Sequence, residues 1–144
     1  MGKDAGFEFL EHISDAKFRA WGETLEEAFR NSGRALFSLM LDIDKIKSDL
    51  EITTHTKAES LEWLLFDWLS ELLYQFEVEG IVFSDFDIKI EVKGDIYILD
   101  TTSYGTRIDP AQTEIDLHVK AITLHDLVIK SGREGVSLEV VVDV

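Results

Sequence analysis

Two segments of the chain carry apolar residues at intervals of three and four, which is the period of a helix with one buried face. The first follows Thr24, where a Thr-x-x-Glu capping box predicts a helix start. The second has an apolar stripe over residues 61–76, and we place its start at another Thr-x-x-Glu box, residues 56–59. The pattern therefore predicts two amphipathic helices, separated by a loop at 42–47 and a short strand at 50–54.

Elsewhere the apolar residues alternate with polar ones, which is typical of half-buried strands. Gly94 lies in a Lys-Gly-Asp sequence that predicts a hairpin turn. Residues 104–110, which contain the single proline, Pro110, are expected to form a loop. The strands predicted by the alternation cover residues 7–10, 16–21, 86–92, 96–99, 115–120, 127–129 and 136–142.

These elements predict an α+β fold, a single domain over residues 1–144. The simplest architecture is a mostly antiparallel sheet of six or more strands with both amphipathic helices packed on one face. A chain of 144 residues buries about 68–70% of its unfolded surface, so it should fold without a disulfide or a structural metal. The absence of cysteine excludes thiolate metal sites and thiol nucleophiles.

The net charge of −15 restricts the partners that the protein can have. Nucleic acid is bound mainly through its phosphates, which this surface would repel, so we expect no direct contact with nucleic acid. The sequence also shows no signal peptide and no apolar stretch long enough to span a membrane, which predicts a cytoplasmic protein without membrane contact. A plainer interpretation of the acidity is that it only keeps the protein in solution.

Two aspartates stand at the ends of strand-like segments that are far apart in the sequence. Asp15 follows the first segment, and Asp143 ends the last one, beside the α-carboxylate of Val144. If these segments are neighbours in one sheet, carboxylates roughly 5 Å apart repel by about 3 kcal/mol at an effective dielectric of about 20. A calcium or magnesium ion would relieve that repulsion, while a contribution from His12 would favour manganese or zinc. An Asx-turn at Asp15 and solvation of Asp143 are the structural alternatives.

Signatures of catalysis are scarce. The sequence has no Gly-x-Ser-x-Gly elbow, no His-Glu-x-x-His motif and no glycine-rich phosphate loop, so we predict that the protein is not an enzyme. Lys120 lies in a strand-like segment between two histidines, where it could contact a phosphate or simply face solvent. Trp63 lies off the apolar stripe of the second helix and is a candidate for a partner surface.

Five segments, taken in order, resemble the archease family, small acidic proteins that assist a tRNA-splicing RNA ligase. They are FLEHISD at 9–15, AWGETLEEAF at 20–29, LLFDWLSELLY at 64–74, VKAITLH at 119–125 and VDV at 142–144. Residues 45–57 and 86–112 carry little of the resemblance.

The resemblance implies a site and a partner. By analogy with the family, Asp15, Asp143 and Val144 would bind a divalent ion, calcium first and magnesium or manganese as alternatives. Lys120 would be the functional lysine of the same pocket. Apart from the analogy, His12 is a candidate to contact the metal ligands from outside the coordination sphere. Archeases promote guanylylation and multiple turnover of a GTP-dependent ligase in tRNA processing, and act as chaperone-like factors. Other RNA-modifying enzymes are further candidate clients.

Three hypotheses follow for the function. The first is a metal-binding cofactor protein that activates the ligase. The second is a small metal-dependent phosphoesterase or other hydrolase that uses the same carboxylates. The third is an acidic interaction module whose second helix, around Trp63, binds a partner.

Overall fold

The computed structural model describes residues 5–10, 15–109 and 111–144. Within them the chain forms eight strands and two α-helices, with a 3₁₀ turn at Ile43–Lys45. The elements are β1 (Gly6–Leu10), β2 (Ala16–Gly22), α1 (Leu25–Met40), β3 (Leu50–Ala58), α2 (Leu61–Glu79), β4 (Ile81–Lys93), β5 (Ile96–Arg107), β6 (Ala121–Ile122), β7 (Val128–Gly132) and β8 (Gly135–Asp143). In this part of the chain neither helix is long and apolar enough to cross a membrane.

The strands belong to two antiparallel sheets. The first has the order β1-β2-β8-β6, with β7 pairing the same strand β8 as β6 does, and the second has the order β3-β5-β4. The predicted α+β class, with two helices and antiparallel strands, is confirmed, but the strands do not form the one sheet of the simplest architecture. Periodicity identifies a strand without identifying its partner, so the sequence pattern could not distinguish one sheet from two.

Both sheets pack on the helices and share a single core. Helix α1 contacts β2 of the first sheet and β4 of the second, and α2 contacts all three strands of the second sheet. At the centre, Trp68 of α2 stacks on Phe29 with ring centroids 6.1 Å apart and meets the edge of Phe86 at 5.2 Å. Gly33 lets α1 approach these rings, because a Cβ there would lie 2.6 Å from Phe86.

The helix starts agree with the sequence in one case and differ in the other. Thr24 caps α1 as predicted, accepting a hydrogen bond from the Glu27 N–H at 3.1 Å. The predicted start of α2 at residues 56–59 is wrong, because this segment continues β3, where Ala58 pairs with Tyr97. Ser60 caps α2 instead, through the Trp63 N–H at 3.1 Å. The hydrogen bonds of the β3–β5 ladder outweigh the local capping signal.

Two further predictions in the second half of the chain need correction. Residues 104–107, predicted to belong to a loop, are part of β5, which is longer than the predicted strand at 96–99. Of the predicted loop, only the residues after Arg107 lie outside this strand. Of the segment 115–122, only Ala121–Ile122 form a strand. The preceding residues bond elsewhere, as Asp116 does by donating its N–H to the Met40 carbonyl at the end of α1 at 2.7 Å. The alternation of apolar residues therefore shows that one side of this segment is buried, and does not show that the segment pairs with another strand.

Candidate metal-binding site

The pairing of β2 with β8 joins the beginning of the described chain to its last residues. The register runs over seven pairs, from Gly22 opposite Val136 to Ala16 opposite Val142. One position beyond this last pair are Asp15, which immediately precedes β2, and Asp143, the last residue of β8. Opposite residues of an antiparallel pair have Cα atoms about 4.5–5.5 Å apart, so the two aspartates are neighbours at the same end of the sheet.

On its other side the end of β8 is held by β6. Ala121 pairs with Asp143, and the Lys120 N–H donates to the Asp143 carbonyl at 2.8 Å. Thr123 donates both its N–H, at 3.1 Å, and its hydroxyl, at 2.9 Å, to the Val141 carbonyl. The main chain of Asp143 is therefore held by β6, which brings the main chain of Lys120 beside Asp143.

The groups at this end of the sheet that could bind a metal are oxygen donors. Asp15 is half-buried, Asp143 is exposed and Val144 is half-buried. Among the described residues, no three His, Asp or Glu side chains are grouped closely enough to hold a metal ion. A divalent cation would therefore depend on two carboxylates, on the main-chain oxygens of Val144 and on water. Carboxylate and carbonyl oxygens with water are the donor set that calcium and magnesium take.

Next to these carboxylates lies an ion-pair cluster that was not predicted. Lys17 contacts Glu139 at 3.1 Å, and Arg19 donates to the same carboxylate from Nε at 3.3 Å and from a terminal nitrogen at 3.0 Å. The alternation along β8 puts Glu139 and Asp143 on the face opposite the buried Val140 and Val142. Glu139 thus binds Lys17 and Arg19 of β2, which alternate with the buried Phe18 and lie on the same face as Glu139.

The cluster also sets the ionisation of Glu139. The hydrogen bond from Lys17, helped by those from Arg19, lowers the pKa of Glu139 although partial burial raises it. The sequence does show Lys17 and Arg19 alternating with Phe18, but their partner could be found only once the β2–β8 register was known. The cluster lies on the same two neighbouring segments as Asp15 and Asp143, further from the end of the sheet.

We predict that Glu139→Gln lowers the free energy of unfolding by about 1–2 kcal/mol at pH 7, because two cations then lack their charged partner. A lowered folded-state pKa contributes stability above the unfolded pKa, about 4.3 for Glu, and this contribution is lost as the pH falls through the folded pKa. Urea denaturation at pH 7 and at about pH 3.5 should therefore show the two proteins converging in acid. Glu134→Gln, at the exposed β7–β8 turn, is the control. An unchanged difference at both pH values would contradict an ionic role for Glu139.

The remaining predicted residues have mixed outcomes. His12 lies outside the residues that the structure describes. Lys120 has an exposed side chain, and only its main chain is bonded to the Asp143 carbonyl. Trp63 is 48% exposed and packs edge-on against Phe66, with ring centroids 5.6 Å apart.

Comparisons with known proteins agree with this architecture. The Archease protein family (MTH1598/TM1083) matches residues 7–144. Protein archease of Pyrococcus furiosus is 43% identical over 129 residues, covering 90% of this chain and 91% of the relative. Protein archease of Methanosarcina barkeri is 38% identical over 139 residues, covering 96% and 95%.

Solved structures show the same arrangement of elements. The solution structure of Methanobacterium thermoautotrophicum protein 1598 is 36% identical, with a TM-score of 0.86 and coverage of 96% of this chain and 99% of that one. The crystal structure of an archease from Thermotoga maritima, described as a possible chaperone, has a TM-score of 0.54 at 19% identity, with 94% of each chain covered. At that identity the second similarity concerns the fold alone.

Fold and site together define a small acidic α+β protein in which the first sheet ends in a pair of carboxylates. The family match over residues 7–144 and the identity with curated relatives define the family as well. The chain belongs to the archease family.

Proposed function

We propose that this protein is a metal-binding accessory protein that activates a GTP-dependent tRNA-splicing RNA ligase, promoting its guanylylation and multiple turnover. The observation that carries the proposal is the β2–β8 register, which puts Asp15 and Asp143 at the same end of the first sheet, where the main chain of Lys120 is bonded to Asp143. Membership of the archease family supports the role of an accessory protein and not of an enzyme. We assign no catalytic residue.

The donor set supports calcium as the ion, with magnesium and manganese as alternatives. Asp15 and Asp143 would supply carboxylate oxygens, and Val144 would supply a main-chain oxygen. Calcium takes six to eight oxygen ligands, so three protein residues leave coordination positions for water or for oxygens of a bound partner. When bound, the ion would supply positive charge at an otherwise acidic surface, where it can attract phosphate or carboxylate oxygens.

Lys120 would act at the same pocket. Its main chain is tied to Asp143 while its ammonium group faces solvent, so the side chain can reach a group that approaches the carboxylates from outside. An ammonium group is a compact donor suited to phosphate oxygens. We propose that Lys120 positions a nucleotide phosphate or an acidic group of the ligase next to the metal-binding carboxylates.

The charge of the protein supports a protein partner. A surface with a net charge of −15 repels RNA and is attracted to a basic active-site mouth. We infer such a basic surface for the ligase, because RNA and GTP are polyanions. Other RNA-modifying enzymes with similar basic clefts are candidates for further clients.

The proposal is tested by measuring ligase turnover with the wild-type protein and its variants. Asp15→Ala and Asp143→Ala should abolish the stimulation, and Lys120→Ala should reduce it, while circular dichroism shows an intact fold. Asp95→Ala, in the exposed turn between β4 and β5, is the matched control and should stimulate fully. Full stimulation by both site variants would end the proposal.

The hydrolase hypothesis makes a different prediction. It requires turnover of phosphoesters or RNA with added magnesium or manganese and without the ligase. Asp15 and Asp143 would give it a donor set for a metal ion, but no specific observation favours hydrolysis. A hydrolysis screen with purified protein distinguishes the two proposals.

The interaction-module hypothesis has one observation in its favour, the exposed apolar surface of α2. Trp63, Tyr74 and Val78 are 48%, 54% and 58% exposed on this helix. If this surface alone mediated activation, Trp63→Ala would remove the stimulation and the two aspartate variants would retain it.

A further inference from the structure

Strand β3 forms an outer edge of the second sheet. Over the residues that the structure describes, its nine residues pair only with β5, through a continuous register from Leu50 opposite Gly105 to Ala58 opposite Tyr97. An antiparallel strand directs alternate N–H and C=O groups to opposite sides, so about half of these groups point away from β5. An edge of this kind is a template for another strand, and β3 has neither a proline nor a bulge to block it.

A groove runs along this edge. It has a volume of about 590 Å³ and is lined by the consecutive strand residues Thr53, Thr54, His55, Thr56 and Lys57, together with Asp67 and Glu71 of α2. Because neighbouring residues of one strand line it, the groove follows the strand, and α2 forms its other wall. Its residues belong to the second sheet and α2, so the groove is separate from the candidate metal site.

The helix wall of the groove is acidic. Asp67 is exposed, and Glu71, which is half-buried, accepts a hydrogen bond from the Gln75 side chain at 2.9 Å. On the strand wall, His55 is paired with Asp100 of β5, so its imidazole already has a carboxylate partner. Lys57 is the remaining cation of the lining, against two carboxylates on α2. The groove is therefore acidic along the wall that faces the edge of β3.

We propose that this groove binds an extended basic peptide segment of a partner protein, which adds a strand to the free edge of β3. Main-chain hydrogen bonds to β3 would provide affinity, as they do wherever peptides extend a sheet. Asp67 and Glu71 are four residues apart on α2, a rise of about 6 Å. Alternate residues of a strand are about 6.8 Å apart, so lysines or arginines at every second position can meet both carboxylates.

A second copy of this chain is the competing occupant, and charge disfavours it. Edge-to-edge pairing of two β3 strands would bring two acidic groove walls together on proteins that each have a net charge of −15. A basic segment has the complementary charge. Peptide binding in the groove does not depend on metal binding at the first sheet. Either proposal can therefore fail while the other holds.

The test uses a fluorescent, acetylated and amidated octapeptide of alternating lysine and threonine, with binding followed by anisotropy. Two further peptides carry N-methyl groups, one on every lysine and the other on every threonine. In an extended peptide, either the lysine amides or the threonine amides face β3, but not both. The peptide methylated on the amides that face β3 should bind at least about tenfold more weakly than the parent, and the other peptide should bind nearly as well as the parent. Hydrogen exchange of β3 amides should slow when the parent peptide binds.

Protein variants test the charge part of the proposal. The double variant Asp67→Asn with Glu71→Gln should bind the peptide about tenfold more weakly. Glu77→Gln, exposed on the same helix but outside the groove lining, is the control and should bind normally. Absence of binding, equal binding of both methylated peptides, or sedimentation showing a dimer that the double variant strengthens would overturn the proposal.

Discussion

The substitution Gly105→Ala is expected to lower the free energy of unfolding by about 4 kcal/mol, a large part of the stability of a small domain. Gly105 lies on β5, the central strand of the second sheet, opposite Phe83 on one side and Leu50 on the other. A Cβ at this position would lie 1.9 Å from the Val82 carbonyl oxygen and 2.9 Å from the Phe83 Cα. Both atoms are backbone, so no side chain can rotate to make room.

The register of β4 explains this close approach. The pairing of β4 with β5 shifts between Phe83 and Asp85, which brings the β4 backbone over the face of Gly105. A bulge of this kind kinks its strand and increases the local twist. An alanine would therefore require β4 to move away from β5, next to the buried Phe83 and Phe86 of the core.

Urea denaturation measures this effect directly. Gly132→Ala is the matched control, since a Cβ there meets nothing within 4 Å and its φ is not positive. The Gly132 variant should unfold within about 0.5 kcal/mol of the wild type. If Gly105→Ala were equally mild, the proposed contact between Gly105 and the β4 backbone would be wrong.

The second large effect is expected from Asp143→Asn, which should abolish the calcium-dependent stabilisation that the proposed site would provide. A ligand that binds only the folded state stabilises it by about 2.7 kcal/mol at a hundredfold excess over Kd. For a domain of this size that corresponds to a rise in Tm of about 5–10 °C. Asp143→Asn removes one carboxylate charge with almost no change in shape, so the rise should disappear while the metal-free Tm is maintained or increases.

Two companion variants make this measurement specific. Asp15→Asn should remove the calcium-dependent rise in Tm as Asp143→Asn does, because the β2–β8 register makes the two carboxylates neighbours. Asp95→Asn, at an exposed turn in the other sheet, should retain it. Equal calcium-dependent stabilisation of all three variants would show that the ion binds elsewhere or non-specifically.

The sequence predicted the elements better than their boundaries. Apolar spacing located both helices, and alternation located most strands, because these patterns report directly which side of an element is buried. The boundary of α2 was misplaced because Thr56 and Ser60 both suit an N-cap, and the choice between them depends on the pairing of β3 with β5. Apolar and polar residues alternate over residues 115–120 because one side of this segment, which includes Val119, faces the core. The segment nevertheless forms no strand.

The sequence named the residues of the proposed site, whose binding of a metal stays a prediction, but not the ion pairs beside them. Asp15 and Asp143 each end a strand, so the sequence could suggest that they meet, and the resemblance to archeases named the same positions. The contact of Lys17 and Arg19 with Glu139 depends on the register between β2 and β8. A sequence specifies such a register only through which face of each strand is buried. For the same reason the groove beside β3 had no sequence signal, since its walls come from two elements whose packing is tertiary.

We propose above that one divalent cation is bound by oxygens of Asp15, Asp143 and Val144. Manganese titration of ¹⁵N-labelled protein tests it most directly, because this paramagnetic ion broadens the signals of nearby amides. We expect early, selective broadening at residues 15–17, 120–121 and 142–144, reversed by calcium. Broadening centred on the second sheet, at Asp85 and Asp87, or spread evenly over the acidic surface would contradict it.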